Sequence, residues 1–193
     1  MQNKKVLVLV ECALMLGLAV ALSFVRIWQM PLGGSVTLLS MLPIVLLSIK
    51  YGTKVGLPVA FLFAATQFAI GIGTVLTWGM TPQAVIGSSM LDYFAAYTGL
   101  GLAGLFRKKM LPGWCAGTIL VMALRFFSHF VSGIIIFGQW APEGWNVAIY
   151  SIAYNGAYML PELVFTMIGM VVLLKTPHVR KMFSPVGLHE SNA

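Results

Sequence analysis

From Val6 to Val25 the chain reads VLVLVECALMLGLAVALSFV, twenty residues in which Glu11 is the one charged side chain. Runs of this kind recur to the C-terminus, and they constrain the fold more than any motif does. About 20 consecutive apolar residues suffice to cross a bilayer core. Inside lipid every backbone polar group must be paired within the protein, so the chain has to form helices or a closed barrel. The ten-residue alternation of a barrel strand is missing, which leaves an all-α membrane bundle.

The apolar runs predict six transmembrane helices, at residues 6–25, 37–49, 55–73, 83–106, 115–137 and 147–174, the second of them short. They are separated by RIWQMPLGGS, KYGTK, GTVLTWGMTP, RKKMLPGW and GQWAPEGWN. Pro58 and Pro161 fall inside apolar runs, where kinks or freed carbonyls are expected. Residues 1–183 make one six-helix transmembrane domain, and SPVGLHESNA, residues 184–193, is a short polar tail. The start, Lys4-Lys5 before an apolar run, has the outline of a signal peptide. The run is longer than an ordinary signal core, contains Glu11 and is followed by no small-x-small cleavage site, so it reads as the first span.

Composition agrees: 59% of residues are hydrophobic and 9% charged, against about 25% charged in a soluble domain. The net charge of +7 does not point to nucleic acid, because no basic stripe with interleaved aromatics exists. It is a matter of topology. Lys4, Lys5, Lys50, Lys54, Arg107, Lys108, Lys109, Lys175, Arg180 and Lys181 all fall on one side of a six-span bundle, and the loops of the other side carry only Arg26. By the positive-inside rule both termini are cytoplasmic, and the loops bearing Trp28, Trp78, Trp140 and Trp145 face outward. Cys12 and Cys115 sit apart in apolar runs, without metal or redox spacing, and read as small apolar fillers.

Against this background VMALRFFSHFVSGIIIF, residues 121–137, stands out. It holds Arg125 and His129 where an ionisable group costs roughly 2.5–3.5 kcal/mol at a helix centre. Asp92 lies about nine residues, or roughly 14 Å, below the outer surface, and His129 about eight residues, or roughly 12 Å. Tyr154 and Asn155 share that depth on the last span. Arg125, His129 and Gly133 follow i, i+4, i+8 on one helix face, and Tyr150, Tyr154, Tyr158 and Glu162 form a second such row. Each residue has a bland alternative: Arg125 and Asp92 as a structural ion pair, His129 as an interhelical hydrogen-bonder, the tyrosines as interfacial belt. Their coincidence at one depth, beneath an outward opening, favours a pocket. Carboxylate, imidazole, amide and aromatic faces together suit a small organic cation with aromatic character. Gly133, above His129, leaves a notch for a flat ring.

The chain has no GxxxxGK[ST] phosphate loop, no HExxH or GxSxG and no paired intramembrane aspartates. It is therefore expected to be neither an ATPase nor an intramembrane hydrolase, but a binding subunit or a carrier. Ala13, Gly17 and Ala21 form a small-xxx-small stripe on the first helix that permits close approach of another helix, within the bundle or outside it.

PLGGSVTLLSMLPI, LDYFAAYTGLGLAGLF, RFFSHFVSG and YSIAYNGAYMLPE, in this order over nearly the whole chain, resemble the thiamine-specific substrate-binding subunits (S components) of the energy-coupling factor transporters, the ThiT/YuaJ family. The resemblance implies a six-helix bundle of the S-component type in a bacterial plasma membrane. It would bind thiamine near the outer face, with no cofactor besides that ligand and no metal. Its partners would be one transmembrane coupling protein and two cytoplasmic ATPase subunits, with Ala13, Gly17 and Ala21 docking onto the coupling protein. The family's acidic ligand residue falls on Asp92, where some members have Glu, and its neighbouring tyrosine on Tyr93. The helix-5 positions fall on Arg125, His129 and Gly133, and those of helix 6 on Tyr150 and Asn155. A tryptophan of some members falls on Phe137, which keeps a stacking face and loses an indole N–H. In the mechanism so implied, Asp92 balances the thiazolium or pairs with the aminopyrimidine, and His129, Phe137 and Tyr150 stack or bond the rings. Asn155 reads polar edges, and the RIWQMPLGGS loop, hinged at Gly33–Gly34, closes with Trp28 as its aromatic lid. Arg125 is expected to lie beneath the ligand and hold Asp92 or a helix-6 carboxylate. An S component for another vitamin or a thiamine precursor, or a stand-alone ion-coupled carrier, are the alternatives.

Overall fold

The computed structural model describes residues 4–186. The elements are α1 (Lys4–Ser23), a hairpin of β1 (Arg26–Gln29) and β2 (Ser35–Thr37), α2 (Leu42–Tyr51) and α3 (Thr53–Leu76). A long helical run follows: α4 (Pro82–Ser88), a π-helical stretch (Ser89–Ala95), the single turn α5 (Ala96–Thr98) and a 3-10 stretch (Gly99–Lys109). Then come α6 (Met110–Ile135), a 3-10 turn (Phe137–Trp140), α7 (Val147–Lys175) and α8 (Pro177–Met182). The chain is a helical, multi-pass membrane protein. Helix α1, helix α3, the run 82–135 and helix α7 are each long and apolar enough to cross a membrane. Of the polar tail, Ser184–Val186 are described and residues 187–193 lie outside the described residues.

The run 82–135 is two antiparallel limbs. Phe106 leaves helical geometry (φ −101, ψ 16), and Met110 takes a left-handed φ of 55, which reverses the chain across the RKKM turn. The limbs then close on glycine: a side chain at Gly113 would strike the Phe106 carbonyl, and one at Gly117 the Ala103 carbonyl. Gly101 and Gly104 do the same toward α2 and α3, where Ser48 Oγ donates to the Gly101 carbonyl (2.5 Å) and accepts from the Gly104 N–H (3.0 Å).

Helix α2 differs most from its expected form. It begins at Leu42, not residue 37. Val36 and Thr37 belong to a strand, Leu39 takes φ 60, and Pro43 is placed for a first helical turn. With ten residues it is about 15 Å long, half of a bilayer core. Every residue from Leu42 to Ile49 is buried, as expected of a helix apolar on all faces. It is the centre of the bundle, wrapped by Phe63, Leu100, Trp114, Val121, Met170 and Leu174. At its C-terminal end Lys50 meets Glu11 at 2.6 Å, while Arg107 donates to the carbonyls of Lys50 and Val186. Pro58 and Pro161 lie within α3 and α7, which continue through them. Helical irregularity is concentrated instead in residues 89–109.

The Gly/Pro-rich connection after α1 folds into the antiparallel hairpin, with Trp28 opposite Val36 and Gln29 opposite Ser35. Gly33 (φ 82) and Gly34 (φ 84) turn it through conformations that L side chains rarely adopt.

Candidate functional site

Opposite the Lys50–Arg107 end, the hairpin roofs a chamber of about 180 Å³. One water needs only about 10–15 Å³, so this volume admits a ligand. Leu32, Gly33, Gly34 and Ser35 form the roof; α3 and its following turn contribute Gln67, Gly71, Thr74 and Trp78. The π stretch contributes Asp92 and Tyr93, α6 contributes Arg125, His129 and Gly133, and α7 contributes Tyr150, Tyr154, Asn155 and Tyr158.

Antiparallel pairing of the two limbs decides who meets whom. Residue 92 comes level with 129–132, and residue 97 with 125. Asp92 Oδ1 lies 2.8 Å from His129 Nδ1, and Ser132 Oγ donates to Oδ2 at 2.7 Å. The π stretch, in which the Ala96 N–H reaches back to Leu91, supplies the extra residue that carries this part of the helix to α6. With Nδ1 engaged, His129 Nε2 is buried and lacks a protein partner. A buried unpaired polar atom costs about 1–3 kcal/mol, so the imidazole is set to bond whatever occupies the chamber.

Arg125 does not hold Asp92 or Glu162, contrary to expectation. One turn below His129 it faces Tyr97, with the guanidinium 4.6 Å from the ring centroid and Nη2 donating to the hydroxyl at 3.2 Å. Nη1 reaches Met41 Sδ at 3.1 Å. Glu162, fully buried, is taken by Thr37, whose N–H and hydroxyl each donate to it at 2.6 Å.

The remaining expected residues divide. Tyr93 lies in the wall, edge-on to Phe68 at 5.8 Å, and Tyr150 leans on Tyr154 at 5.7 Å. Phe137 packs edge-on against Trp78 (5.7 Å) and beside Trp140 (5.5 Å), so an indole returns to the mouth from another helix end. Asn155 is committed to protein: its amide nitrogen donates to the Ser151 carbonyl (2.9 Å), and its oxygen accepts from Tyr158 (2.9 Å). Gly133 is less a notch for a ring than a seat for α7, since a Cβ there would meet Ser151 and lie 3.3 Å from Asn155. Trp28, half-exposed on β1, lies outside the chamber lining, which Trp78 joins instead. Its strand neighbours Arg26 and Gln29 line the chamber, with the ladder irregular between Arg26 and Trp28. Ala13, Gly17 and Ala21 are all exposed, with nothing within 4 Å of the Cβ position of Gly17.

Sequence reasoning missed the α3 wall, Ser132, Tyr97 and Trp78. Gln67, Gly71 and Thr74 follow i, i+4, i+7 on an otherwise apolar helix, a small polar stripe that would have pointed to this face.

Comparison with known proteins agrees with the architecture. The family described as "Thiamine transporter protein (Thia_YuaJ)" matches residues 9–181. The chain is 32% identical to the thiamine transporter ThiT of Bacillus subtilis, over 91% of this chain and 94% of that protein. It is 30% identical to ThiT of Lacticaseibacillus paracasei, over 90% and 89% respectively. The solved structure of ThiT from Listeria monocytogenes has the same fold, with a TM-score of 0.74 at 24% identity over 92% of this chain and 98% of that one. Spanning the bilayer several times and enclosing one roofed polar chamber, this chain is a multi-pass bacterial cell-membrane protein that belongs to the thiamine transporter (Thia_YuaJ) family.

Proposed function

We propose that this chain is the substrate-binding subunit of an energy-coupling factor (ABC-type) transporter, and that it captures thiamine from outside for uptake driven by a partner module. The observation that carries the reading is the Asp92–His129 pair at 2.8 Å, set among aromatic walls beneath a roofed opening. Thiamine joins a permanently cationic thiazolium to an aminopyrimidine. Asp92 has spent two of its roughly four acceptor positions and keeps its negative charge available to the cation. The free Nε2 of His129 suits the hydrogen-bonding edge of the pyrimidine. The rings of Tyr93, Tyr150, Phe137 and Trp78 supply stacking and cation–π faces.

The partners in this reading are one transmembrane coupling protein and two cytoplasmic ATPase subunits. Six spans with cytoplasmic termini are the arrangement this reading takes, supported by the basic residues at the chain turns remote from the chamber, and the exposed Ala13–Gly17–Ala21 stripe offers a helix-docking face. Calorimetry of the purified protein with thiamine tests the reading: saturable binding is expected, and its absence while another vitamin binds would move the chain to a different substrate.

The hydrogen-bonded Asp92–His129 pair inside a span also fits a stand-alone proton-coupled thiamine carrier. Proteoliposomes containing this chain alone separate the two. Thiamine accumulation driven by a proton gradient favours the carrier; co-purification with ATPase subunits and ATP-dependent uptake favour the binding subunit.

A further inference from the structure

We propose that Tyr154 is the latch of a lid made by residues 30–35 and that Glu162 is the lid's fixed anchor, so that this face of α7 governs access to the chamber rather than reading the ligand. The proposal rests on the chamber being the thiamine site.

Tyr154, Tyr158 and Glu162 lie at i, i+4, i+8 on α7, and all three serve the hairpin. At the tip, the Tyr154 hydroxyl accepts from the Leu32 N–H at 2.8 Å and donates to the Gly33 carbonyl at 3.1 Å. In the middle, the Tyr158 ring lies so close beneath Gly34 that a Cβ would come within 2.5 Å of it. At the base, Glu162 holds the Thr37 N–H and hydroxyl at 2.6 Å each, and Ser40 Oγ lies 2.6 Å from that same hydroxyl.

The fastenings are unequal. Glu162 is fully buried, and hydrogen bonds to a carboxylate are roughly twice as strong as neutral ones. Tyr154 is only partly buried and makes two neutral bonds. Opening therefore begins at the tip, where Leu32 and Gly33 are also the roof over the chamber. On the far side the tip meets Trp78, 3.1 Å from the Cβ position of Gly33, so release of the Tyr154 hydroxyl frees the segment between two aromatic jaws. Tyr154 acts through the lid, as a positioning residue.

Tyr154→Phe keeps the ring and removes only the hydroxyl. In ligand-free, full-length protein, hydrogen–deuterium exchange of residues 30–35 is expected to rise about tenfold, while Val36 and Thr37 keep wild-type protection. Unchanged exchange at 30–35 overturns the latch. In stopped-flow thiamine binding followed by tryptophan fluorescence, association and dissociation are both expected to accelerate about fivefold, leaving Kd shifted less than either rate. Faster dissociation with unchanged association makes Tyr154 a ligand contact and likewise overturns the proposal. The exchange measurement needs no ligand, so a wild-type chain that fails to bind thiamine sinks the functional reading while the latch is still tested separately.

Discussion

At the residue scale, the site is organised by who holds a carboxylate. Asp92 and His129 were recognisable from their shared depth on two spans. Their direct pairing, the Ser132 hydroxyl on the second oxygen and the retreat of Arg125 onto Tyr97 depend on the exact register of two antiparallel limbs. Register is not periodic, so spacing along one helix cannot supply it. If Asp92 offsets a cation, Asp92→Ala should weaken thiamine binding at least about tenfold, or about 1.4 kcal/mol, by calorimetry. A near-neutral result would make Asp92 a purely structural partner of His129. Gly133 makes a different expectation. Its missing side chain admits Ser151 and Asn155 of α7, so Gly133→Ala should destabilise the fold by about 1–3 kcal/mol through overpacking, visible as a lowered melting temperature.

At the element scale, three pieces carry local rules broken for a purpose. The hairpin places two glycines at φ 82 and 84 in its turn, and only Gly34 fits over Tyr158. Gly34→Ala should unseat the roof: thiamine affinity falls while far-ultraviolet circular dichroism of the helices stays unchanged. The hairpin escaped sequence reading because its strands have four and three residues, too few for a period of two to show. The π stretch escaped too, since one extra residue in a helical turn leaves hydropathy unchanged. Helix α2 is legible as short, but only packing reveals that it is the plug around which longer helices gather. Ser48, buried on α2, bridges the Gly101 carbonyl and the Gly104 N–H. Ser48→Ala should cost about 1–3 kcal/mol in thermal or denaturant unfolding, because two buried backbone groups lose their partner.

At the scale of the whole molecule, α1 stands apart: it buries Ala19 and Ser23 and leaves most of its length facing outward. Polar clasps hold it at both ends, Glu11 to Lys50 and Tyr51 on the basic side and Ser23 to Gln67 beside the chamber. A helix so fastened presents Ala13, Gly17 and Ala21 in a fixed direction. Gly17→Leu should leave thiamine binding intact and abolish uptake in cells if that stripe docks a partner; undiminished uptake would exclude the docking role. The sequence by itself determined that this chain is a helical membrane bundle, that its basic residues gather at one end of it and which few polar side chains lie at a common depth. These properties follow from hydropathy, charge and the 1.5 Å rise of a helix, all of them local. The tertiary structure alone decided that Asp92 belongs to His129 and Ser132, that Glu162 belongs to the lid and that α3 closes the chamber. Those outcomes depend on helix register and on glycine-mediated close approach between segments far apart in the chain, where packing selects one partner among several of like chemistry.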